Sequence, residues 1–285
     1  MERACRYASW AVFLAESLFA TFFPSHCRIC GAPLLTISRL PVCEDCLASV
    51  QRLSGGFCSV CGERIASPYA FSDLPGGEQP RCGICRRIEP VFARAAAYGS
   101  YDGALRELIH LLKYNRIRPA ANVLGRMLAE VIESLQPGFG DASLIVVPVP
   151  LHARRVKQRG FNHSELLASA ACKVLRSPHL HVIPAVLERS KDTVSQTGLT
   201  RHQRQENMRG AFTVAAPSDI RDREVLLVDD VFTTGTTAAE CARVLRRAGA
   251  SKVWVATVAR TLKAENQFAR VGSGKTEELS LAARA

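Results

Sequence analysis

Four Cys-x-x-Cys pairs lie between residues 27 and 85: Cys27/Cys30, Cys43/Cys46, Cys58/Cys61 and Cys82/Cys85. No other feature limits the fold of the chain so narrowly. Two thiols at this spacing make one knuckle, and a tetrahedral zinc needs four ligands. Eight thiolates in four knuckles therefore suit two zinc ions, neither with an open position for chemistry. Cys30 and Cys61 are each followed by Gly, which lets a knuckle turn tightly, whereas Cys46 and Cys85 are not. That asymmetry pairs each Gly-bearing knuckle with the next one. The expected tetrads are Cys27/Cys30/Cys43/Cys46 and Cys58/Cys61/Cys82/Cys85, with an interleaved pairing as the alternative. A segment this rich in Cys, Pro and Gly has too little apolar material for its own core, so metal would fold it. Cys5, Cys172 and Cys241 stand alone. The last two lie on apolar helix faces and read as core residues rather than nucleophiles. Metal-type spacing in place of a disulfide framework points to a reducing cytoplasm.

The chain has 285 residues, 47% of them hydrophobic, enough for one full-sized α/β domain beside the cysteine module. Residues 1–23, in which Trp10–Phe23 is apolar but carries Glu16, read as a docking helix, with a signal peptide or a membrane-surface helix as alternatives. Residues 24–90 form the cysteine module, with a loop at "SDLPGGEQP" (Ser72–Pro80). From Val91 the pattern changes to alternating strand and helix signals. Leu105, Leu108, Ile109 and Leu112 follow helical spacing, as do Leu124, Met127, Leu128, Val131 and Leu135. Leu167, Ala170, Ala171 and Val174 mark a third helix, and Cys241, Val244, Leu245 and Ala248 a fourth. "SLIVVPVP" (Ser143–Pro150), "EVLLVDD" (Glu224–Asp230) and "SKVWVATV" (Ser251–Val258) are continuous apolar strands, and Phe92–Tyr101 is a strand or hairpin. Such runs fit a mostly parallel sheet with helices on both faces, over residues 91–260. Residues 261–285 are small, polar and charged, and predict a frayed tail. No uncharged apolar run reaches the roughly 18 residues of a membrane span, so an integral membrane protein is not expected.

Net charge is +11, concentrated between Leu151 and Gly210, where 11 Lys/Arg face 4 Asp/Glu. A local excess of this kind suits polyphosphate or nucleic acid. "VLLVDDVFTTGTT" (Val225–Thr237) adds a sharper clue. Two adjacent carboxylates at the end of a buried strand repel each other and lose hydration, so cations or hydroxyls should meet them. The carboxyl end of a strand is also where open α/β sheets bind ligands. The Thr/Gly-rich turn that follows offers backbone N–H groups, hydroxyls and a helix N-terminus, a cradle for a phosphate monoester. Carboxylates beside a phosphate cradle suit a sugar phosphate.

This stretch resembles the 5-phosphoribosyl-1-pyrophosphate (PRPP) motif of type I phosphoribosyltransferases. The resemblance implies that Asp229 and Asp230 bind the ribose hydroxyls, with a base role open to one of them. It implies that Thr233, Thr234, Gly235, Thr236 and Thr237 bind the 5′-phosphate. "VPVPLHARRVKQRGFNHSELLA" (Val147–Ala168) and "SQTGLTRHQRQENMRGAF" (Ser195–Phe212), together with the cysteine module ahead of them, resemble the ComF family of bacterial proteins linked to DNA uptake. That likeness implies a phosphoribosyltransferase-type sheet behind a double zinc ribbon. It also implies a pyrophosphate loop at Pro148–His152 and magnesium bridging pyrophosphate and ribose. Lys113, Arg154, Arg155 and Arg159 are the cationic candidates for the pyrophosphate, Lys113 and Arg159 foremost. Ser195–Asn207 reads as a mobile closing loop, and the segment around Val182–Arg189 shows no base-reading pattern. Two functions stay open. One is a phosphoribosyltransferase acting on an unidentified acceptor. The other is a PRPP-responsive, single-stranded-DNA-binding protein of the DNA-uptake machinery, cytoplasmic or peripheral at the inner membrane. Phe161 and Phe212 are the only Phe, Tyr or Trp residues between Leu151 and Phe212, few for a base-stacking track.

Overall fold

The structure is a computed structural model that describes residues 25–34, 38–65, 79–140, 143–191 and 201–262. The expected N-terminal docking helix, the C-terminal tail beyond Leu262, most of the Ser72–Pro80 loop and residues 195–200 of the closing loop lie outside the described residues. Nine strands and eight α-helices are named here. The strands are β1 (Ser25–His26), β2 (Pro33–Leu34), β3 (Arg94–Ser100), β4 (Leu144–Pro148), β5 (Leu180–Val182), β6 (Leu187–Arg189), β7 (Phe212–Val214), β8 (Glu224–Phe232) and β9 (Lys252–Arg260). The helices are α1 (Glu44–Ala48), α2 (Gly83–Arg87), α3 (Gly103–Lys113), α4 (Ala120–Leu135), α5 (Ala153–Arg159), α6 (His163–Leu175), α7 (Arg201–Met208) and α8 (Thr236–Arg247).

Five strands form one wholly parallel sheet in the order β3-β9-β8-β4-β5. Both faces are covered, which is why its strands read as unbroken apolar runs. Val146, Leu226, Val228 and Ala256 point to the layer that contains α3, α4 and α6. Ile145, Val147, Leu227 and Val255 point to the opposite layer, which contains Ala238, Cys241 and Leu245 of α8. Leu124, Leu128, Ile132, Leu135 and Leu167 are fully buried. Val174 is half exposed, because α6 turns that position away from the sheet.

The chain leaves the two central strands in opposite directions. From β4 it passes through α6 to β5 on one side, and from β8 through α8 to β9 on the other. A crevice therefore opens at the carboxyl ends of β4 and β8, the switch point at which such sheets bind ligands. The registers sharpen it. β4 ends at Pro148, opposite Val228, whereas β8 stays paired with β9 as far as Phe232 and Arg260. Strand β8 thus runs two residues beyond the expected Asp230, and Asp229 and Asp230 stand where β4 has already turned away.

The outer edge of β3 is covered by the cysteine module. Leu53 N–H donates to the Tyr98 carbonyl (2.7 Å), and Ala95 N–H donates to the Val60 carbonyl (2.7 Å). These bonds satisfy an edge that would otherwise be open to strand pairing. β6 and β7 form a separate antiparallel pair, into which the Val182–Arg189 segment runs.

Candidate functional site

The eight module cysteines gather as two tetrads in the sequential pairing, Cys27/Cys30/Cys43/Cys46 and Cys58/Cys61/Cys82/Cys85. Within each, the sulfurs lie within 4.8 Å of one another. Sγ separations are 3.8 Å for Cys27–Cys46, 3.6 Å for Cys30–Cys43 and 3.7 Å for Cys61–Cys82. A disulfide needs about 2.05 Å. A tetrahedron with metal–sulfur bonds of about 2.3 Å has an edge of about 3.8 Å, so each tetrad could hold a zinc ion. Gly31 and Gly62 both take left-handed φ values (76° and 67°), and their N–H groups donate back to the Cys27 and Cys58 carbonyls. The glycines singled out in the sequence are thus what close the first knuckle of each tetrad. Cys172 is half-buried and Cys241 fully buried. Burial pushes the Cys172 thiol up to about 11, and that of Cys241 also rises. Neither is a ready nucleophile.

At the switch point the acidic pair is met by hydroxyl, imidazole and ammonium groups. Ser164 Oγ donates to Asp229 Oδ1 (3.1 Å), which also accepts the Asp230 N–H (2.9 Å). Asp230, 5% exposed, is paired with Lys113 Nζ and lies 3.0 Å from His163 Nε2. Neither group meets the buried Asp230 Oδ2 in hydrogen-bonding geometry, so this oxygen keeps acceptor capacity for a ligand. Lys113 reaches it from the last turn of α3 and His163 from the first turn of α6, where the neighbouring Ser164 meets Asp229. Asn162 fixes that turn. Its side-chain oxygen accepts the Ser164 N–H (3.1 Å), and its amide donates to the Val149 carbonyl (3.1 Å).

The charges tune one another. Burial raises Asp229 to about 6, against the pull of Lys113, the Ser164 hydroxyl and Arg189. Burial lowers Lys113 to about 8, with Asp229 opposing and Arg159 and Arg155 adding to the fall. His163, buried and ringed by Lys113, Arg159 and Arg155, is held well below the usual imidazole range and is neutral. Arg159 Nη1 sits 3.2 Å from His163 Nδ1, and its guanidinium stacks 5.3 Å from the Tyr114 ring centroid. Tyr114 is 64% exposed and is braced edge-on by His110. The ligand atoms of His163, Asp229 and Asp230 lie within 4.8 Å of one another, a third group among the described residues that could hold a cation.

Thr233–Thr237 follow directly. Gly235 (φ 76°) caps α8, and the hydroxyls of Thr234 and Thr236 are 2.8 Å apart. The first turn of α8 carries no acidic residue, so nothing of like charge opposes an anion at this helix N-terminus. The fold therefore brings Asp229, Asp230, Lys113, Arg159 and Thr233–Thr237 to one end of the sheet. Pro148–His152 lies at the same end, running from β4 to α5, where His152 is the cap. Arg154 is exposed, whereas the charge of Arg155 is felt at Lys113 and His163. The closing loop needs correction. Its second half, from Arg201, is helix α7, anchored by the fully buried Met208. "RHQRQEN" has no apolar residue, so the one-sided anchor at its end left no periodicity to find.

His163, Ser164 and Arg189 were not expected in the site. The signal for the first two was Asn162, a strong helix cap that commits the next two residues to the first turn of α6.

The matched regions agree with this geometry. Residues 163–270 match the phosphoribosyl transferase domain. The DNA utilization protein YhgH of Escherichia coli is 33% identical over 84% of this chain and 98% of its own length. The chain belongs to the ComF family. Competence protein F of Haemophilus influenzae is 32% identical over 76% of this ComF-family chain and 96% of its own length. Among solved structures, a hypoxanthine phosphoribosyltransferase of Staphylococcus aureus aligns over 50% of the chain and 67% of its own, at 16% identity and a TM-score of 0.32. The fold is a phosphoribosyltransferase-like parallel sheet preceded by the cysteine module. No helix among the described residues is long and apolar enough to cross a membrane.

Proposed function

We propose that the protein binds PRPP with magnesium at the β4/β8 crevice and transfers its phosphoribosyl group to an acceptor still to be identified, releasing pyrophosphate. The observation that carries this reading is the acidic pair between two surroundings suited to phosphate. Asp229 and Asp230 have the capped phosphate loop on one side and Lys113, Arg159 and Arg155 on the other. A ligand with a monoester at one end, hydroxyls in the middle and a diphosphate at the other end satisfies all three. In this role the carboxylates accept from the ribose hydroxyls, Thr233–Thr237 hold the 5′-phosphate, and Lys113, Arg155 and Arg159 meet the pyrophosphate. Hard oxygen donors such as the acidic pair suit magnesium. When bound, that ion neutralises charge on the departing pyrophosphate. The bond from C1 to pyrophosphate breaks with its electron pair going to pyrophosphate, the acceptor bonds to C1 through its own lone pair, and the acceptor's proton is released to solvent or to one of the two aspartates. Each tetrad holds one zinc ion in a structural role, and the eight thiols stay available to metal in a reducing cytoplasm. Calorimetric titration with magnesium and PRPP, followed by pyrophosphate release against a panel of nucleobases, tests the reading. Absence of magnesium-dependent PRPP binding would overturn it.

A second reading keeps PRPP as a ligand or signal and makes single-stranded DNA the partner, within DNA uptake or use. The relatives named for competence and DNA utilization support it, as does Tyr114. Tyr114 lies outside the arginine-rich stretch of sequence. Tyr114 comes from the end of α3 instead, exposed and stacked with Arg159, a pairing suited to an unstacked base. PRPP binding without turnover, together with salt-sensitive oligonucleotide binding, favours this reading.

A further inference from the structure

The last residue of β9, Arg260, is 2% exposed and no part of the crevice chemistry involves it. Its guanidinium has three neighbours. Nη1 donates to the Cys61 carbonyl, Nη2 donates to Glu63 Oε2 (2.9 Å), and the guanidinium carbon lies 5.3 Å from the centre of the Phe232 ring. The first two neighbours belong to the knuckle of the second tetrad, in which Cys58 N–H also donates to the Glu63 carbonyl (2.8 Å). The third is the last residue of β8 and the register partner of Arg260. Phe232 in turn supports the phosphate loop. A Cβ at Gly235 would stand 2.6 Å from Phe232 Cζ, so the loop backbone rests directly on the ring. Phe92 closes the far side edge-on at 6.1 Å. The knuckle has no slack either, since a Cβ at Gly62 would come within 3.2 Å of Arg260 Nη1 and 3.3 Å of the Ala95 carbonyl.

We propose that Arg260 is a positioning residue, a strut through which the second cysteine tetrad holds the Thr233–Thr237 loop in its phosphate-binding shape. The contacts run without a gap from the Cys58/Cys61 knuckle through Glu63, Arg260 and Phe232 to Gly235. A buried guanidinium is expensive to leave unpaired, so the strut is stiff only while the knuckle keeps its turn. The first tetrad packs in the opposite core layer. Coupling between the second tetrad and the loop is the consequence. The part of this inference that concerns ligand affinity rests on the PRPP reading above.

The test uses the full chain and two substitutions that leave all eight cysteines in place, Glu63→Gln and Arg260→Lys. The first keeps the shape and one acceptor, and the second keeps the charge but loses the fork. Zinc content should stay at the wild-type value. Hydrogen exchange of the amides in Val231–Thr237 of the ligand-free protein should quicken in both variants, more in Arg260→Lys. The affinity for ribose 5-phosphate should fall about tenfold, while that for magnesium pyrophosphate, which does not need the loop, stays unchanged. Cys85→Ser should quicken the same amides and Cys27→Ser should not. Wild-type loop exchange in Glu63→Gln and Arg260→Lys would overturn the strut whatever the ligand. Equal weakening of ribose 5-phosphate and pyrophosphate would also overturn it, by showing general damage. If the wild-type protein binds neither ribose 5-phosphate nor PRPP, the PRPP reading fails, and the exchange experiment alone decides the strut.

Discussion

The two cysteine tetrads have the same ligands and the same glycine-closed first knuckle, yet they are tied to the protein in different ways. Cys27, Leu40 and Val42 of the first join the apolar layer of α3, α4 and α6. The polar tie just beyond this tetrad is Arg52 to Glu130 at 3.4 Å, with both side chains about half exposed. A pair in that setting contributes at most about 1 kcal/mol. Cys58, Val60 and Cys85 of the second join the layer of α8 and Phe232, and the knuckle between them is pinned by a buried guanidinium. The comparison teaches that a structural metal site acquires reach from what its knuckle touches, since the metal chemistry of the two is alike. One tetrad anchors the module to a helical face, whereas the other reaches the Thr233–Thr237 loop through two side chains, Arg260 and Phe232.

The largest effect expected is the one that would break this contrast. Cys58→Ser and Cys27→Ser should each remove one of two zinc ions per chain, measured by elemental analysis. Structural zinc contributes about 10–16 kcal/mol of apparent binding energy in small fingers, so each module half should loosen. Only Cys58→Ser should abolish PRPP binding. Equal loss of PRPP affinity in both variants would show that the tetrads differ in position alone.

Next in size is a loss confined to the crevice. Asp229→Asn with Asp230→Asn should weaken PRPP binding by about 1.5–3 kcal/mol per carboxylate, because charge-assisted hydrogen bonds are lost. Both zinc ions should remain. An unchanged affinity in calorimetry would mean that the ribose is held elsewhere.

A smaller effect follows from titration of the same groups. Asp229, raised from 3.8 to about 6, takes up a proton as pH falls below 6 and ceases to be a charged acceptor. Lys113, lowered from 10.5 to about 8, loses its charge as pH rises above 8. PRPP affinity should therefore be highest between these values and fall on both sides. The phosphates of the ligand also titrate, with a second pKa of about 6. The decisive comparison is thus with Asp229→Asn, whose acid limb should be flatter than that of the wild type. Coincident acid limbs would remove Asp229 from the binding step.

The sequence made some of these features legible and hid others for physical reasons. The tetrads could be read because metal spacing is local and glycine marks the knuckle. The parallel sheet could be read because strands buried on both faces cannot alternate. Asp229 and Asp230 were conspicuous because two carboxylates at the end of an apolar run demand partners. The partners were harder to see. Lys113 lies more than a hundred residues away at the end of a helix whose pattern speaks only of its apolar face, and a solvated lysine there would look the same. His163 and Ser164 needed the turn fixed by Asn162. Arg260 was invisible, since an arginine that ends an apolar strand reads as a surface residue until the knuckle closes over it. Helix α7 was missed because one buried methionine anchors a wholly polar turn.

The smallest effect concerns DNA, and it decides which region carries the basic surface. Arg154 is exposed on α5, whereas Arg155, on the same helix, already acts on Lys113 and His163. The second tetrad has an exposed basic cluster of its own in Arg81, Arg86 and Arg87. If a DNA strand follows α5, Arg154→Ala should lower the log–log salt slope of oligonucleotide binding by about 0.7, the share of one phosphate on a single strand, nearly regardless of sequence. PRPP affinity should be unchanged. Arg155→Ala should instead weaken PRPP, because its charge serves the crevice, and PRPP should compete with DNA for it. If the strand follows the second tetrad, Arg154→Ala leaves the slope alone, and Arg86→Ala with Arg87→Ala lowers it by about 1.4, two phosphates' worth. The measurement is a salt titration of a labelled oligonucleotide with and without magnesium and PRPP. A slope that neither set of substitutions moves would place the DNA contact away from both regions. No binding at low salt would leave the crevice with its small-molecule chemistry alone.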